Sequence, residues 1–478
     1  MTTYLEPKIL IHFEIPKAPV SSPRIIYAFA STAAGFGQPA KQVGEVIIGG
    51  SNELIVSLGA QEKANIETYR IAGGSLANWL IAHKLTDAQL EAPDLTDTKE
   101  SQSFFALLEG IRLASFRFER RKKVDDPAGP ITIHIVSGKS TGTGLKELLH
   151  RVETITFAVC LARDWGHEPA NIINPISLVE RTEEVAKKYG LKLTVLDDRQ
   201  LQELGAGAIT AVGKGSGTPS RLIILEYAGK PKNTDVKPIA LVGKALTFDT
   251  GGYSLKDTTN IQGMKYDKCG GVTVITTMVA ASLLGIETPL IGIVGAAENA
   301  ISDKAYRPDD IITTLSGKTV EIISTDAEGR LVLADALTYT QQKFAVRAII
   351  DLATLTGGVV TALGRIRGGI MSNNDDLTAA LTAAGEVVHE RLWRLPLDDD
   401  YLKATLGDDA DLKNSGGREG HPIMGGIFLK QFIEGDLPWA HLDIAGMADS
   451  PKELPYCSKG ATGYGVRLLI EYLENHLK

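Results

Sequence analysis

From Ser177 onward, short apolar runs alternate with segments of helical period, and few architectures tolerate that alternation. A helix-like stretch at Ser177–Tyr189 is followed by a strand pattern at Lys192–Leu196, a helix pattern at Arg199–Leu204, and strand patterns at Leu222–Tyr227 and Pro238–Val242. An apolar run with no polar face must be covered on both sides. The pattern therefore predicts an α/β fold whose central sheet is mixed, largely parallel and covered by helices, with functional residues at the carboxyl ends of strands. Residues 1–142 repeat the alternation on a smaller scale, with strand patterns at Glu45–Ile48, Glu53–Ser57 and Ile131–Val136 and a helix-like segment at Gln61–His83. Between the two, 143–164 carries apolar residues at helical spacing (Leu145, Leu148, Leu149, Val152, Ile155, Val159) with no Pro or Gly after Gly144. The expectation is an N-terminal α/β domain over 1–142, a connecting helix over 143–164, and a larger C-terminal domain over 165–478.

Charge and cysteine content narrow the classes of partner. A formal net charge of -8 disfavours the phosphate attraction on which nucleic-acid and anionic-membrane binding rest. The dense basic run Arg120-Arg121-Lys122-Lys123, ahead of a turn-like 125–129, reads as a solvated helix end, with a binding patch as the alternative. Cys160, Cys269 and Cys457 lie far apart and are odd in number, which suggests neither a disulfide framework nor a thiolate metal site. The N-terminus lacks a basic region followed by an apolar run, and no stretch reaches the ~18 apolar residues of a membrane span. A soluble, cytoplasmic protein is expected.

The chemistry gathers in two segments. The apolar strand Ile239-Ala-Leu-Val-Gly243 runs into Lys244-Ala-Leu-Thr-Phe-Asp249-Thr-Gly-Gly-Tyr-Ser-Leu-Lys256. Gly251 and Gly252 let the backbone turn sharply, which puts Asp249 and the two lysines around one point. Asp267 follows, ahead of a helix starting near Gly270; taken alone it reads as a helix cap. The second segment, Ser324-Thr-Asp326-Ala-Glu328-Gly-Arg330, lies between the strand pattern Thr319–Ile323 and the helix pattern Leu331–Gln342. In an extended segment residues two apart share a face, so Asp326, Glu328 and Arg330 can all point the same way, with a solvated loop as the alternative for a bare Asp-x-Glu pair. Clustered carboxylates repel and raise one another's pKa unless cations neutralise them. Oxygen-rich sites suit Mg2+ and Mn2+ and are also used by Zn2+, and bridging carboxylates hold two ions ~3.5–4 Å apart.

These segments resemble the signatures of the leucyl aminopeptidase family, the cytosolic metallo-aminopeptidases, with the Tyr253 loop most similar to its peptidase B branch. The resemblance continues through Ala297-Glu-Asn299, Asp351-Leu-Ala-Thr-Leu-Thr-Gly357, Ala410-Asp-Leu-Lys-Asn414 and Trp439-Ala-His-Leu-Asp-Ile-Ala-Gly446, covers nearly all of 165–478, and is looser over 1–140. It implies a hydrolase that removes residues from the free amino end of peptides using two divalent ions and a metal-activated water. It implies Lys244, Asp249, Asp267, Asp326 and Glu328 as metal ligands, with Asp249 and Glu328 bridging. Lys256 and Arg330 become the catalytic pair, Arg330 holding a bicarbonate ion. Substrate contacts fall on Lys256, Met264, Asp267, Thr354, Leu355, Gly357 and Ala445. A macro-like N-terminal domain and a homohexamer are implied too. Thr250 stands where the family has Ser and Ser324 where it has Asn, both beside the implied ligands.

Other signals point elsewhere. Ser137-Gly-Lys-Ser-Thr141 resembles the end of a phosphate loop but has Ile133 where that pattern needs Gly. Gly213-Lys-Gly-Ser-Gly217 reads as a turn, with an anion cradle as the alternative. The nine histidines show no ligand spacing, and His441 reads as a core histidine. Rival functions are a binding or regulatory module, a catalytically dead paralogue and a two-metal phosphatase. The acidic balance argues against DNA as the first one's partner, the complete ligand set against the second, and the lack of a phosphate-binding Arg cluster against the third.

Overall fold

The computed structural model describes residues 6–17, 20–30, 42–50, 52–119, 121–123, 128–137, 142–230 and 236–477. Arg120, residues 124–127 (and with them most of the segment 125–129 expected as a turn) and residues 138–141 of the phosphate-loop-like segment lie outside them. The chain divides into two compact units. One comprises Glu6–Cys160 with Ser450–Gly460, the other Leu161–Asp449 with Ala461–Lys478.

In the first unit a sheet is built from β1 (Ile11–Glu14), β2 (Arg24–Ala28), β3 (Val46–Ile48), β4 (Glu53–Ser57), β5 (Asp87–Ala92) and β6 (Ile131–Ser137) in the order β1-β6-β5-β2-β4-β3. Its pairs are parallel except the β3·β4 edge. Helix α1 (Ile66–Ala82) starts where Asn65 accepts from Thr68 N, and crosses α2 (Thr98–Ala114) at close range. A Cβ at Gly110 would lie 2.0 Å from Arg70 O, so only glycine lets the helix axes approach this far. The core of this unit gathers Leu76, Leu80, Leu107, Ile111, Ile133 and Leu149. Helix α3 spans Gly142–His167, longer than the 143–164 run at its C-terminal end.

The second unit is organised by a mixed sheet of β7 (Lys192–Leu196), β8 (Arg221–Tyr227), β9 (Ile239–Asp249), β10 (Leu290–Asn299), β11 (Ala348–Ala353), β12 (Gly368–Ser372), β13 (Leu392–Arg394) and β14 (Trp439–Asp443), in the order β13-β12-β14-β11-β9-β10-β8-β7. The run β14-β11-β9-β10 is parallel throughout, which brings four carboxyl ends to one edge. Antiparallel pairing enters at β12·β14, β10·β8 and β8·β7. Alternate residues of β9 face opposite helix layers. Ala240, Val242 and Leu246 pack in a cluster with Val332 and Leu337 of α5 (Gly329–Lys343). Gly243 and Ala245 lie against Gly271 of α4 (Cys269–Leu284). Each fully buried aliphatic side chain here contributes roughly 1.5–3 kcal/mol.

Strand β9 runs to Asp249, beyond the Val242 expected from sequence. Gly243 and Lys244 look like strand breakers. The first is needed for close contact with α4, and the second finds buried polar partners. The segment Met264–Leu284, which includes α4, reaches the length and mean hydropathy (1.2) of a membrane span, but Lys265, Asp267 and Lys268 interrupt it, so it is not the uninterrupted run of ~18 apolar residues that a span requires. That window is 83% buried inside the unit, as a core helix is.

Candidate metal centre

The carboxyl ends of β9, β10, β11 and β14 carry the polar groups. Asp249 ends β9, and Gly251 and Gly252 then take left-handed conformations (φ 84 and 62). The loop closes when Lys256 N donates to Thr250 O at 3.0 Å. Lys256 Nζ thereby lies 2.8 Å from Asp249 Oδ2 and in contact with Asp326 Oδ1. Lys244, inside β9, reaches the same region from below. Its Nζ is 2.9 Å from Asp267 Oδ1, 2.9 Å from Glu328 Oε1 and 2.9 Å from Thr354 O.

Asp267 belongs to the 3-10 turn Met264–Lys268 and does not cap α4, whose N-cap is Lys268 without a side-chain bond. Its Oδ1 accepts from Thr354 Oγ1 at 2.6 Å instead. Asp326 and Glu328 do converge, though not through an extended segment. Asp326 sits in a turn and Glu328 has helical backbone (φ -74, ψ -36) just ahead of α5. Oxygens of Asp249, Asp326 and Glu328 lie within 4.8 Å of one another. Arg330 enters the first turn of α5, where its Nη1 donates to Asn414 O at 2.7 Å. Two of the three residues expected on one face therefore meet there, because the chain turns where extension was assumed.

Burial dominates the electrostatics. It pushes the Asp267 carboxyl up to about 7, helped by Asp249 and Glu328 and opposed by Lys244. Asp326 is raised to about 6 by burial and by Glu328. Burial and Glu328 also raise Asp249. Glu328 is lowered because Lys244 and Lys256 outweigh its burial. Both lysines are raised, the carboxylates beside them outweighing desolvation. Burial lowers Arg330 to about 10. Asp326 keeps 37% side-chain exposure while Glu328 keeps 3%, so the cluster opens to solvent on the Asp326 side.

Two buried oxygens, Asp267 Oδ2 and Glu328 Oε2, have no hydrogen-bond partner among the described residues, and Arg330 Nε has none there either. Unpaired buried carboxylate oxygens are costly, and a cation is what relieves them. An all-oxygen set with one amine fits hard divalent ions.

The flanking segments carry the residues implied for substrate. Thr354 and Leu355 follow β11, Gly357 opens α6 (Gly357–Leu363), Met264 opens the turn bearing Asp267, and Ala445 follows β14. Sequence reasoning missed the group that ties two of these segments together. Asp443, fully buried at the end of β14, accepts from Leu355 N (3.1 Å), Thr356 Oγ1 (2.6 Å) and Ala445 N (3.2 Å). It missed Asn299 too, whose Nδ2 donates to Asp249 Oδ1 (2.8 Å) and Thr325 O (3.0 Å). A polar residue closing an apolar strand was the available signal in both cases. The two departures from the family pattern stay polar in use. Thr250 Oγ1 donates to Asn299 O at 2.9 Å, and Ser324 Oγ accepts from Asp326 N at 3.2 Å. Beside the Gly213–Gly217 loop, Glu298 accepts from the hydroxyls of Ser216 and Thr218, which sets a carboxylate next to the loop and disfavours an anion there. His441 is fully buried, its Nδ1 2.5 Å from Asp351 Oδ1.

The family model described as "Cytosol aminopeptidase family, catalytic domain" matches residues 160–470, and its N-terminal companion matches 52–124. A probable cytosol aminopeptidase of Syntrophotalea carbinolica is 43% identical over 92% of this chain and 87% of its own. One of Rickettsia felis is 40% identical over 89% and 85%. Among solved structures, the bottromycin maturation enzyme BotP in complex with Mn superposes with TM-score 0.86 at 30% identity, covering 95% of this chain and 99% of that one. A point mutant of tomato leucine aminopeptidase superposes with TM-score 0.85 at 30% identity, covering 98% and 97%.

Proposed function

The chain belongs to the cytosol aminopeptidase family, and from that premise we propose that it removes residues one at a time from the free amino end of peptides, using two divalent cations at the carboxylate cluster. It is a metallo-aminopeptidase. The number of ions, the residues that hold them and the course of the reaction are our reading.

The observation that carries this reading is the pair of buried, unpartnered oxygens, Asp267 Oδ2 and Glu328 Oε2, within a cluster of four carboxylates and two lysines. Lys244, Asp249, Asp267, Asp326 and Glu328 would hold the ions, with Asp249 and Glu328 shared. When bound, such a pair supplies a water acidic enough to attack near neutral pH, polarises the carbonyl, and anchors a free amine. The anchoring accounts for action at chain ends only. Lys256, at the open side of the cluster, donates to the oxygen of the scissile carbonyl as negative charge develops there. Arg330, whose buried Nε has no partner among the described residues, would hold a bicarbonate, an anion that would supply a general base for the attacking water. The wall of Met264, Thr354, Leu355, Gly357 and Ala445 receives the terminal residue. Mn2+ is favoured because a relative at 30% identity is described with Mn; Zn2+ and Mg2+ are the alternatives. A homohexamer acting in the cytoplasm is the assembly and compartment that the family resemblance implies.

The test is hydrolysis of aminoacyl p-nitroanilides by metal-stripped protein with Mn2+, Zn2+, Mg2+ or nothing returned, beside a variant carrying Asp326→Ala and Glu328→Ala. The reading expects metal-dependent release from free but not N-acetylated substrates, lost in the variant. Folded, metal-loaded protein that turns over none of them would overturn it.

A further inference from the structure

Lys244 and Asp249 are held by strand β9, whereas Asp326 and Glu328 lie on a short turn, and the structure contains a device that fixes that turn. Strand Thr319–Glu321 pairs in parallel with Leu412–Lys413, and Asn414 N extends the ladder by donating to Glu321 O at 3.0 Å. Beyond Glu321 the main chain must leave the ladder so that Asp326 and Glu328 can face Asp249. There the Asn414 side chain takes over. Its Oδ1 accepts from Ile323 N (2.9 Å) and Ser324 N (3.2 Å), and its Nδ2 donates to Ser324 O (2.6 Å) and, more weakly, to Ala327 O (3.5 Å). The carboxamide thus stands in for the next peptide unit of the strand. The backbone oxygen of the same residue receives Arg330 Nη1 at 2.7 Å. Asn414 is fully buried, so no water competes for these bonds.

We propose that Asn414 is a positioning residue for the metal centre: it fixes the turn that presents Asp326 and Glu328 and, through its carbonyl, the guanidinium of Arg330. This rests on the metal-centre reading above. Supporting partners of ligands typically contribute about 10–100-fold in metal affinity or activity. Asn414→Asp keeps the acceptor and loses both donated bonds; Asn414→Ala loses all side-chain bonds.

The experiment measures Mn2+ binding by equilibrium dialysis and Mn2+ electron paramagnetic resonance, together with kcat, KM and Tm, for the wild type, Asn414→Asp, Asn414→Ala and a control, Ser372→Ala. Ser372 donates to Trp439 O at 2.6 Å in a buried part of β12, so its loss destabilises without touching the 323–328 turn. The proposal expects both Asn414 variants to bind Mn2+ about 10–100-fold more weakly, with an altered resonance spectrum and a lower kcat. The control at comparable Tm should match the wild type in affinity and spectrum. Folded Asn414 variants with wild-type affinity and spectrum, or losses matched by the control, would overturn it. If Asn414→Ala does not fold, Asn414→Asp against the control decides alone. Wild-type protein that binds no Mn2+ would instead sink the two-metal reading.

Discussion

Gly329 and Lys244 occupy space that admits no further atom between them: a Cβ built on Gly329 would lie 2.6 Å from both Cε and Nζ of Lys244. Two effects oppose each other in Gly329→Ala. Alanine favours the first turn of α5 by roughly 1 kcal/mol over glycine. The methyl must also push aside the far end of Lys244, which is flexible, so the fold survives while Nζ leaves Asp267 and Glu328. The expected outcome is an unchanged or slightly higher Tm with Mn2+ affinity reduced at least about tenfold, read by equilibrium dialysis. Unchanged affinity would show that the Lys244 position does not matter to the ions.

Asp267 and Asp326 hold their protons up to about 7 and about 6 when no metal is bound, whereas an unfolded aspartate titrates near ~3.9. Between roughly pH 4 and 7 the folded chain therefore binds more protons than the unfolded one, and these two carboxyls make the stripped fold less stable as pH rises through that window. Cations compete for the same oxygens and gain as the protons leave. The Tm difference between Mn2+-loaded and stripped protein should widen from pH 5 to pH 8. Titration calorimetry in buffers of different ionisation enthalpy should find protons released on Mn2+ binding at pH 6 and fewer at pH 8. A constant Tm gap and no proton release would count against the raised carboxyls.

Lys256 faces the open side of the cluster and pairs with Asp249 and Asp326. Replacing it with methionine keeps the bulk and removes the charge. Because the lysine competes with cations for those carboxylates, Mn2+ affinity should hold or rise. The kcat should fall about 10²–10³-fold, the usual effect of losing one oxyanion donor. Parallel loss of kcat and metal affinity would recast Lys256 as a support for the ions.

In the first unit, Gly110→Ala directs a methyl into the Arg70 carbonyl, which is backbone and does not yield as a side chain tip would. The α1–α2 crossing must open, at an expected cost of about 1–3 kcal/mol. Calorimetry of the full chain should register a lower Tm, and a Tm equal to wild type would mean that the two helices separate at little cost.

Sequence legibility followed the range over which each feature is determined. Strands such as Lys192–Leu196 and Glu53–Ser57 were readable to the residue, because a run of apolar and β-branched residues between breakers is local information. Asp249, Lys244 and Lys256 were readable as neighbours because one glycine turn links them. The route by which Asp326 and Glu328 meet was not readable. It depends on Asn414, some ninety residues further along, whose side chain bends the turn from outside. Asp443 was hidden for the same reason: nothing near it in the chain says that its carboxylate will hold the segment after β11. Strand β9 runs past the expected end because Gly243 and Lys244, which disfavour a strand locally, are accommodated by α4 and by Asp267, Glu328 and Thr354, all of which come later in the sequence.

Helix α4 also bears on the order in which the chain can be completed. It is apolar around its whole circumference, and it packs against β9, which precedes it, and against β10, β11 and α7 (Val466–Glu471), which follow. A ribosome therefore delivers this greasy cylinder before most of the material that encloses it, and one wall is supplied by α7, far downstream in the sequence. Until those later elements are made, the segment lacks the walls that bury it. A stop codon at Gly465 would remove α7 and leave that side of α4 bare, so a truncation far from any catalytic group should cost solubility.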